Sequence, residues 1–349
     1  KVLIVGGGWG GLSAASALAA QADVVLIERN AAFVSLPLTN RWLAGLDDGR
    51  RMTQDYAAAA RRFGYRFVQA EVGQIDRSAR KVTTSGGQFA YDWLILAPGM
   101  AEDTGALVDG DRDAARLIEQ QFSSTYQSGS GFPALKQKLG NFSQGEFLIT
   151  LPPAPYRCPP APFERAIILA HAIKTRGLKA HLTVIAPGAP WPAYQRVFND
   201  EFRDQVTYLP NTPIRQLDPY RRVLTTDIDE IKFDEAIIMP PQQAASLCRE
   251  NGLLAPKTPF VTVNPKNFNI FDDERVFVIG DSVGAVSTLF GHFPKTGELA
   301  SDMGRIAAAE IISHISGQEA PSLLPESTCF AYLSLQPAQF TRIESRYRW

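Results

Sequence analysis

"KVLIVGGGWGGLSAASALAA" (residues 1–20), continued by "QADVVLIERN" (21–30), is the stretch whose reading decides the fold. Val2–Val5 is a short apolar run, the length of a strand buried on both faces. A glycine-rich turn follows, then an alanine-rich segment with high helix propensity. "VVLIE" is a second buried strand, ending at Glu28. Strand, helix and strand in that order form a βαβ unit, which requires a parallel sheet. Gly6, Gly8 and Gly11 have the spacing G-x-G-x-x-G. The first allows a tight turn, the second lets backbone approach a pyrophosphate, and the third lets helix and strand pack closely. The helix N-terminus then presents N–H groups and a positive dipole end to phosphate. Glu28 lies 17 residues after Gly11, placed to accept hydrogen bonds from ribose hydroxyls. The unit reads as a dinucleotide site.

Two more strands bear on which dinucleotide. "YDWLILAPGM" (91–100) ends in Ala97-Pro-Gly99, and "ERVFVIGDSVG" (274–284) carries Gly280-Asp281. Both resemble signatures of the flavoproteins with two dinucleotide-binding domains. The resemblance implies FAD, with Asp281 at its ribityl–phosphate part. "FPKTGELASDMGRIAAAEIISHI" (293–315) reads as a long helix starting near the flavin, with Lys295 adding charge there.

These segments bracket the chain. The expected class is α/β, with two Rossmann-like domains and a short C-terminal segment. Residues 1–101 and 250–318 form the FAD domain, 102–249 an inserted second domain, and 319–349 the C-terminal segment with Cys329. The inserted part holds its own strand–helix–strand pattern: "GEFLITL", "PFERAIILAHAIKTRG" and "AHLTVIAP". Where a pyridine-nucleotide enzyme would carry a second glycine fingerprint, this chain has "PPAPYRCPPAPFERA" (152–166). Proline fixes φ and has no N–H, so this turn is a poor pyrophosphate cradle. The next strand ends "VIAPGAP", with no acidic residue for a ribose. NAD(P)H is therefore not the expected reductant. "SSTYQSGSGFP" (123–133) reads as a surface loop.

The chemistry centres on cysteine. Cys158 sits among six prolines, after Arg157 and ahead of a helix start. A cation and a helix N-terminus both favour thiolate, so Cys158 is expected to be a nucleophile or half of a redox disulfide. Glu164, in the first helical turn, is a candidate proton acceptor. Cys329 lies far away in sequence, in "LPESTCFAYLSL", and Cys248 reads as a packed core residue. Three cysteines and four scattered histidines fit neither a zinc site nor a disulfide scaffold. No metal is expected.

At these motifs the chain resembles the flavoprotein subunit of flavocytochrome c sulfide dehydrogenase, and more distantly sulfide:quinone oxidoreductases. "GGGWGG", "LAPG", "APYRCPPAPFERA", "IMPPQQAA", "VFVIGDS", "FPKTGELA" and "STCFAYL" carry the likeness. The resemblance implies a redox disulfide between Cys158 and Cys329 beside the flavin, and Glu164 as base. It implies oxidation of hydrosulfide or a related sulfur compound, a cytochrome c partner, and the periplasm. In such subunits FAD is attached through a cysteine that aligns with Leu36. No cysteine precedes Cys158 here, so FAD is expected to be non-covalent. A quinone acceptor and a flavin electron-transfer subunit without sulfide turnover stay open as alternatives.

Composition excludes other partners. With 35 basic against 36 acidic residues, nothing points to nucleic acid. No apolar run approaches the ~18 residues of a transmembrane helix.

Overall fold

The computed structural model describes residues 1–125, 131–287 and 291–348. The first glycine motif joins the central strands of a six-stranded sheet. Its order is Asn269–Ile270, Asp273–Val278, Trp93–Leu96, Val2–Val5, Val24–Glu28, Arg66–Gln69. All neighbours pair parallel except Asn269–Ile270, at the edge. Val2–Val5 and Trp93–Leu96 are apolar throughout because both faces of this sheet are covered.

Helix Trp9–Leu18 lies on that sheet and crosses helix Gly297–Ser316 at very short range. Small residues make this possible. A Cβ on Gly304 would collide with the Gly10 carbonyl oxygen, and one on Gly10 would sit 2.9 Å from the Ala300 oxygen. The long helix starts at Gly297, later than its sequence pattern suggests. Thr296 caps it by accepting the Leu299 N–H at 3.2 Å.

A second, four-stranded parallel sheet runs Val206–Leu209, Lys179–Ile185, Gln144–Thr150, Glu235–Ile237. Helix Ala161–Arg176 packs on it through Phe163, Ala166, Ile167 and Ala170, against Phe147 and Ile149. Each burial of a large apolar side chain contributes about 1.5–3 kcal/mol. The chain passes between the sheets twice, and the passages pair: Met100–Glu102 runs antiparallel to Gln242–Ala244.

The C-terminal segment is an antiparallel hairpin, Ser327–Leu335 with Ala338–Ser345. Ala331, Leu333 and Leu335 join the core around helix Ala161–Arg176. Trp42 and Leu43 of helix Leu36–Leu43 enter the same core. Residues from three distant parts of the chain thus meet at the start of helix Ala161–Arg176.

The Ser/Gly-rich loop differs from its surface expectation at the ends. Ser124, Thr125 and Phe132 are buried, while 126–130 lie outside the described residues. The reason is Arg165, fully buried, whose Nη1 donates to the Ser124 carbonyl and whose Nη2 reaches Thr125 Oγ1 at 3.4 Å. A buried guanidinium needs such acceptors.

Candidate active site

The glycine loop is built for a phosphate. Gly6 has φ +97°, and a Cβ there would run into the Ala97 carbonyl oxygen of the adjacent strand. Gly11 approaches Gly6 so closely that any side chain would strike the Gly6 oxygen. Gly8 differs: a Cβ there would meet nothing within 4 Å, so the loop is open on that side. No side chain caps helix Trp9–Leu18, which leaves its first-turn N–H groups for an anion. Tyr56 supports the loop from below. Its hydroxyl donates to the Gly7 carbonyl at 2.8 Å, and burial pushes its pKa far up, keeping it protonated.

Glu28 is oriented by two neighbours. Its Oε2 accepts the Gly7 N–H at 2.9 Å, and its Oε1 accepts Asn30 Nδ2 at 2.7 Å. Oε1 also accepts the Asn30 N–H at 3.0 Å, so Oε2, with one lone pair left, is the oxygen that can still accept a ribose hydroxyl. Open phosphate loop, uncapped helix end and pre-oriented carboxylate together fit the adenosine diphosphate half of FAD. Gly99 and Gly280, at φ +76° and +71°, turn the chain at the ends of their strands.

Asp281 is where the cofactor half meets the cysteine loop. Its Oδ2 accepts Arg157 Nε at 2.7 Å, both side chains being largely covered. Lys295 is buried rather than solvated. Its Nζ donates to the carbonyls of Asp281 (2.7 Å) and Val283 (2.8 Å), and desolvation lowers its pKa to about 8. Lys295 therefore fastens the Asp281 turn.

The proline-flanked loop is clamped by its own amides. The Arg157 N–H donates to Gln242 Oε1 at 2.8 Å, the Cys158 N–H to the Lys295 carbonyl at 2.8 Å, and the Ala161 N–H to the Cys158 carbonyl at 2.9 Å. Cys158 sits at φ +49°, a left-handed conformation that costs a side-chain-bearing residue about 1–2 kcal/mol. The clamps over-determine that geometry.

The environment of Cys158 corrects one expectation. Arg157 was expected to hold it as thiolate. Instead the guanidinium engages Asp281, and burial pushes the Cys158 thiol up to about 12. The charges of Glu164 and Cys329 push the same way and outweigh the Ala161 N–H. Desolvation and like charges win over a helix N-terminus here. With the cysteines reduced, burial and the neighbouring charges favour the neutral thiol at Cys158.

The same interaction brings the three sequence candidates together, since Cys329 and Glu164 are both close enough for their charges to act on Cys158. Glu164 Oε1 accepts the Tyr332 N–H at 2.9 Å, and Oε2 accepts Asn40 Nδ2 at 2.8 Å. Asn40 Oδ1 in turn accepts Arg165 Nε at 3.1 Å. Burial raises the Glu164 pKa, and these two donors oppose it. Glu164 thereby ties the C-terminal hairpin and helix Leu36–Leu43 to the cysteine helix. Cys329, half-buried, lies 3.4 Å from Ser327 Oγ. Cys248 is fully buried, 3.9 Å from Ser282 Oγ. Asn40 and Tyr56 had no sequence signal, since their partners lie far off in the chain, and Gln242 and Ser327 stood only as members of the quoted motifs.

Comparison with known proteins follows these halves. Residues 1–131 match the family described as pyridine nucleotide-disulphide oxidoreductase. Residues 133–240 match the central part of the sulfide dehydrogenase [flavocytochrome c] flavoprotein chain. Among solved structures, the sulfide:quinone oxidoreductase of Aquifex aeolicus superposes over 99% of this chain and 86% of its own, with a TM-score of 0.77 and 20% identity. The fold is that of the pyridine nucleotide-disulphide oxidoreductases. The NAD-dependent persulfide reductase of A. fulgidus shares it, with a TM-score of 0.71 and 17% identity over 95% of this chain and 62% of that one. A type II NADH:quinone oxidoreductase of Staphylococcus haemolyticus is 32% identical over 124 residues, 34% of this chain. That match spans 31% of the relative's length. The chain has the fold of these flavoproteins, and its matched parts imply FAD binding. Among the described residues no helix is long and apolar enough to cross a membrane, and no cluster of three potential metal ligands occurs.

Proposed function

We propose that this flavoprotein oxidises hydrosulfide, or a related small sulfur compound, through a Cys158–Cys329 disulfide, and delivers the electrons to a cytochrome c. The observation that carries the reading is the shared, half-buried setting of Cys158, Cys329 and Glu164: Glu164, on the helix that starts at the Cys158 loop, holds the Tyr332 N–H of the strand that carries Cys329. It lies on the loop that runs through Arg157 to Asp281, at the expected flavin end. Hydrosulfide attacks one sulfur of the disulfide; a persulfide forms there, and the other cysteine leaves as thiolate. The attacking sulfur is oxidised and the leaving cysteine reduced, so the step balances without another reagent. Glu164 is placed to accept the proton when the persulfide ionises, with Asn40 and the Tyr332 N–H holding its carboxylate. FAD, when bound, would supply an acceptor for the electron pair and a means of releasing it to a one-electron partner.

The loop itself argues against NAD(P)H. Six prolines lack donors, and the N–H groups of Arg157, Cys158 and Ala161 are already committed within the protein. Few remain to cradle a pyrophosphate.

The acceptor is tested by reducing the enzyme anaerobically with sulfide, then adding either ferricytochrome c or a soluble quinone. Flavin absorbance is expected to return faster with the cytochrome. Faster return with the quinone would replace the cytochrome assignment with a quinone one.

A further inference from the structure

The two cysteines of the proposed pair are built differently. Cys158 has a guanidinium neighbour that is ion-paired with Asp281. Cys329 has a hydroxyl beside it: Ser327 Oγ lies 3.4 Å from its Sγ, and Ser327 is buried. Ser327 Oγ lies in turn 3.3 Å from Thr296 Oγ1. Either partner could donate in each contact taken alone, but a thiolate at Cys329 can only accept, and that settles the direction. Ser327 then donates to the Cys329 sulfur, and Thr296, whose oxygen accepts the Leu299 N–H at 3.2 Å as the cap of helix Gly297–Ser316, donates to Ser327 Oγ. Three donors in series then lead from the positive end of a 20-residue helix to one sulfur.

We propose that Ser327 is a positioning residue for Cys329, and that the Thr296–Ser327 relay makes Cys329 the first-reacting thiol of the pair and the sulfur that leaves as thiolate when the disulfide opens. Opening then follows HS⁻ + Cys158–S–S–Cys329 → Cys158–S–SH + Cys329–S⁻. The S–S bond breaks, the new bond is to Cys158, and the pair of electrons leaves on Cys329. A better-stabilised leaving thiolate departs faster, which fixes the site of attack. Other groups act on Cys329 in the opposite sense. Glu298, in the first turn of the long helix, accepts the Thr328 N–H at 2.7 Å and repels a thiolate at Cys329. Glu164, from the cysteine helix, does the same, and burial adds to both. The Ser327 hydrogen bond works against all three.

The assignment of the leaving sulfur rests on the proposed sulfide chemistry; the relay does not. The test therefore reads the relay by itself. FAD-containing protein is reduced with a phosphine under argon and treated with iodoacetamide between pH 7 and 10, and each cysteine peptide is quantified by mass spectrometry. In the unaltered protein Cys329 is expected to react before Cys158. Ser327→Ala is expected to move the Cys329 profile up by about one pH unit, slowing alkylation about tenfold below its midpoint. Ser327→Thr keeps a hydroxyl and is expected to restore the profile. The Cys248 rate, from a fully buried thiol in the other core, reports whether the fold is intact and is expected not to change. An unshifted Cys329 profile in Ser327→Ala, or Cys158 reacting first in the unaltered protein, would overturn the inference. Failure of sulfide to bleach the flavin while the profile shifts would instead count against the sulfide reading alone.

Discussion

Cys158→Ser is expected to retain FAD and to lose sulfide-dependent flavin bleaching by about a thousandfold or more, the range found when a covalent group acting as part of a unit is removed. A serine oxygen cannot form the disulfide that hydrosulfide attacks. The substitution leaves the loop's backbone clamps to Lys295, Gln242 and Ala161 in place. It also removes a thiol that the surroundings already keep neutral, so no new charge is buried. The fold and the flavin spectrum should therefore survive. Stopped-flow absorbance under argon reads the effect directly, and Cys329→Ser is expected to match it because both sulfurs are needed. Bleaching that persists at the original rate in either variant would remove the disulfide from the reaction.

Gly6→Ala is expected to abolish FAD retention and to destabilise the protein by about 2–4 kcal/mol. Two effects combine. An alanine is strained at φ +97°, and its Cβ would collide with the Ala97 carbonyl oxygen. That oxygen belongs to backbone whose N–H is bonded to Val5 at 2.7 Å, so it cannot move aside cheaply. Gly8→Ala makes the sharp contrast. Its Cβ would enter open space, so the protein should fold normally, and only the approach of the pyrophosphate should suffer. The ratio of flavin to protein absorbance and the thermal midpoint separate the two variants. Full flavin content in Gly6→Ala would show that this loop is not the cofactor cradle.

The parts of this architecture that were legible in the sequence are local. The glycine spacing after Val2–Val5 and the acidic residue ending "VVLIE" follow from one turn and two strands, which neighbouring residues determine. The proline-flanked cysteine was equally conspicuous. Its electrostatics were not, because the sign depends on where Arg157 points. Asp281, 124 residues away, pairs with the guanidinium. The burial of Lys295 was hidden for a similar reason: two carbonyl acceptors accommodate an ammonium that the sequence shows only as a charge near a helix start. The C-terminal segment carried an uneven pattern of apolar, basic and aromatic residues. Its register as a hairpin is set by the core it completes, with Ala331 against the cysteine helix and Glu164 holding the Tyr332 amide. The hydroxyls around Cys329 illustrate the same limit, since Thr296 and Ser327 meet only once the long helix and the hairpin have packed.

The most direct single measurement compares reductants on the same FAD-loaded protein. Sulfide and NADH are added separately under argon at equal concentration, and flavin absorbance is followed with time. Rapid bleaching by sulfide and none by NADH over the same interval is the expected result. Bleaching by NADH at a rate equal to or above that of sulfide would contradict it. The proline-flanked loop would then have to accommodate a pyridine nucleotide after all, and Cys158 would no longer be the point of electron entry.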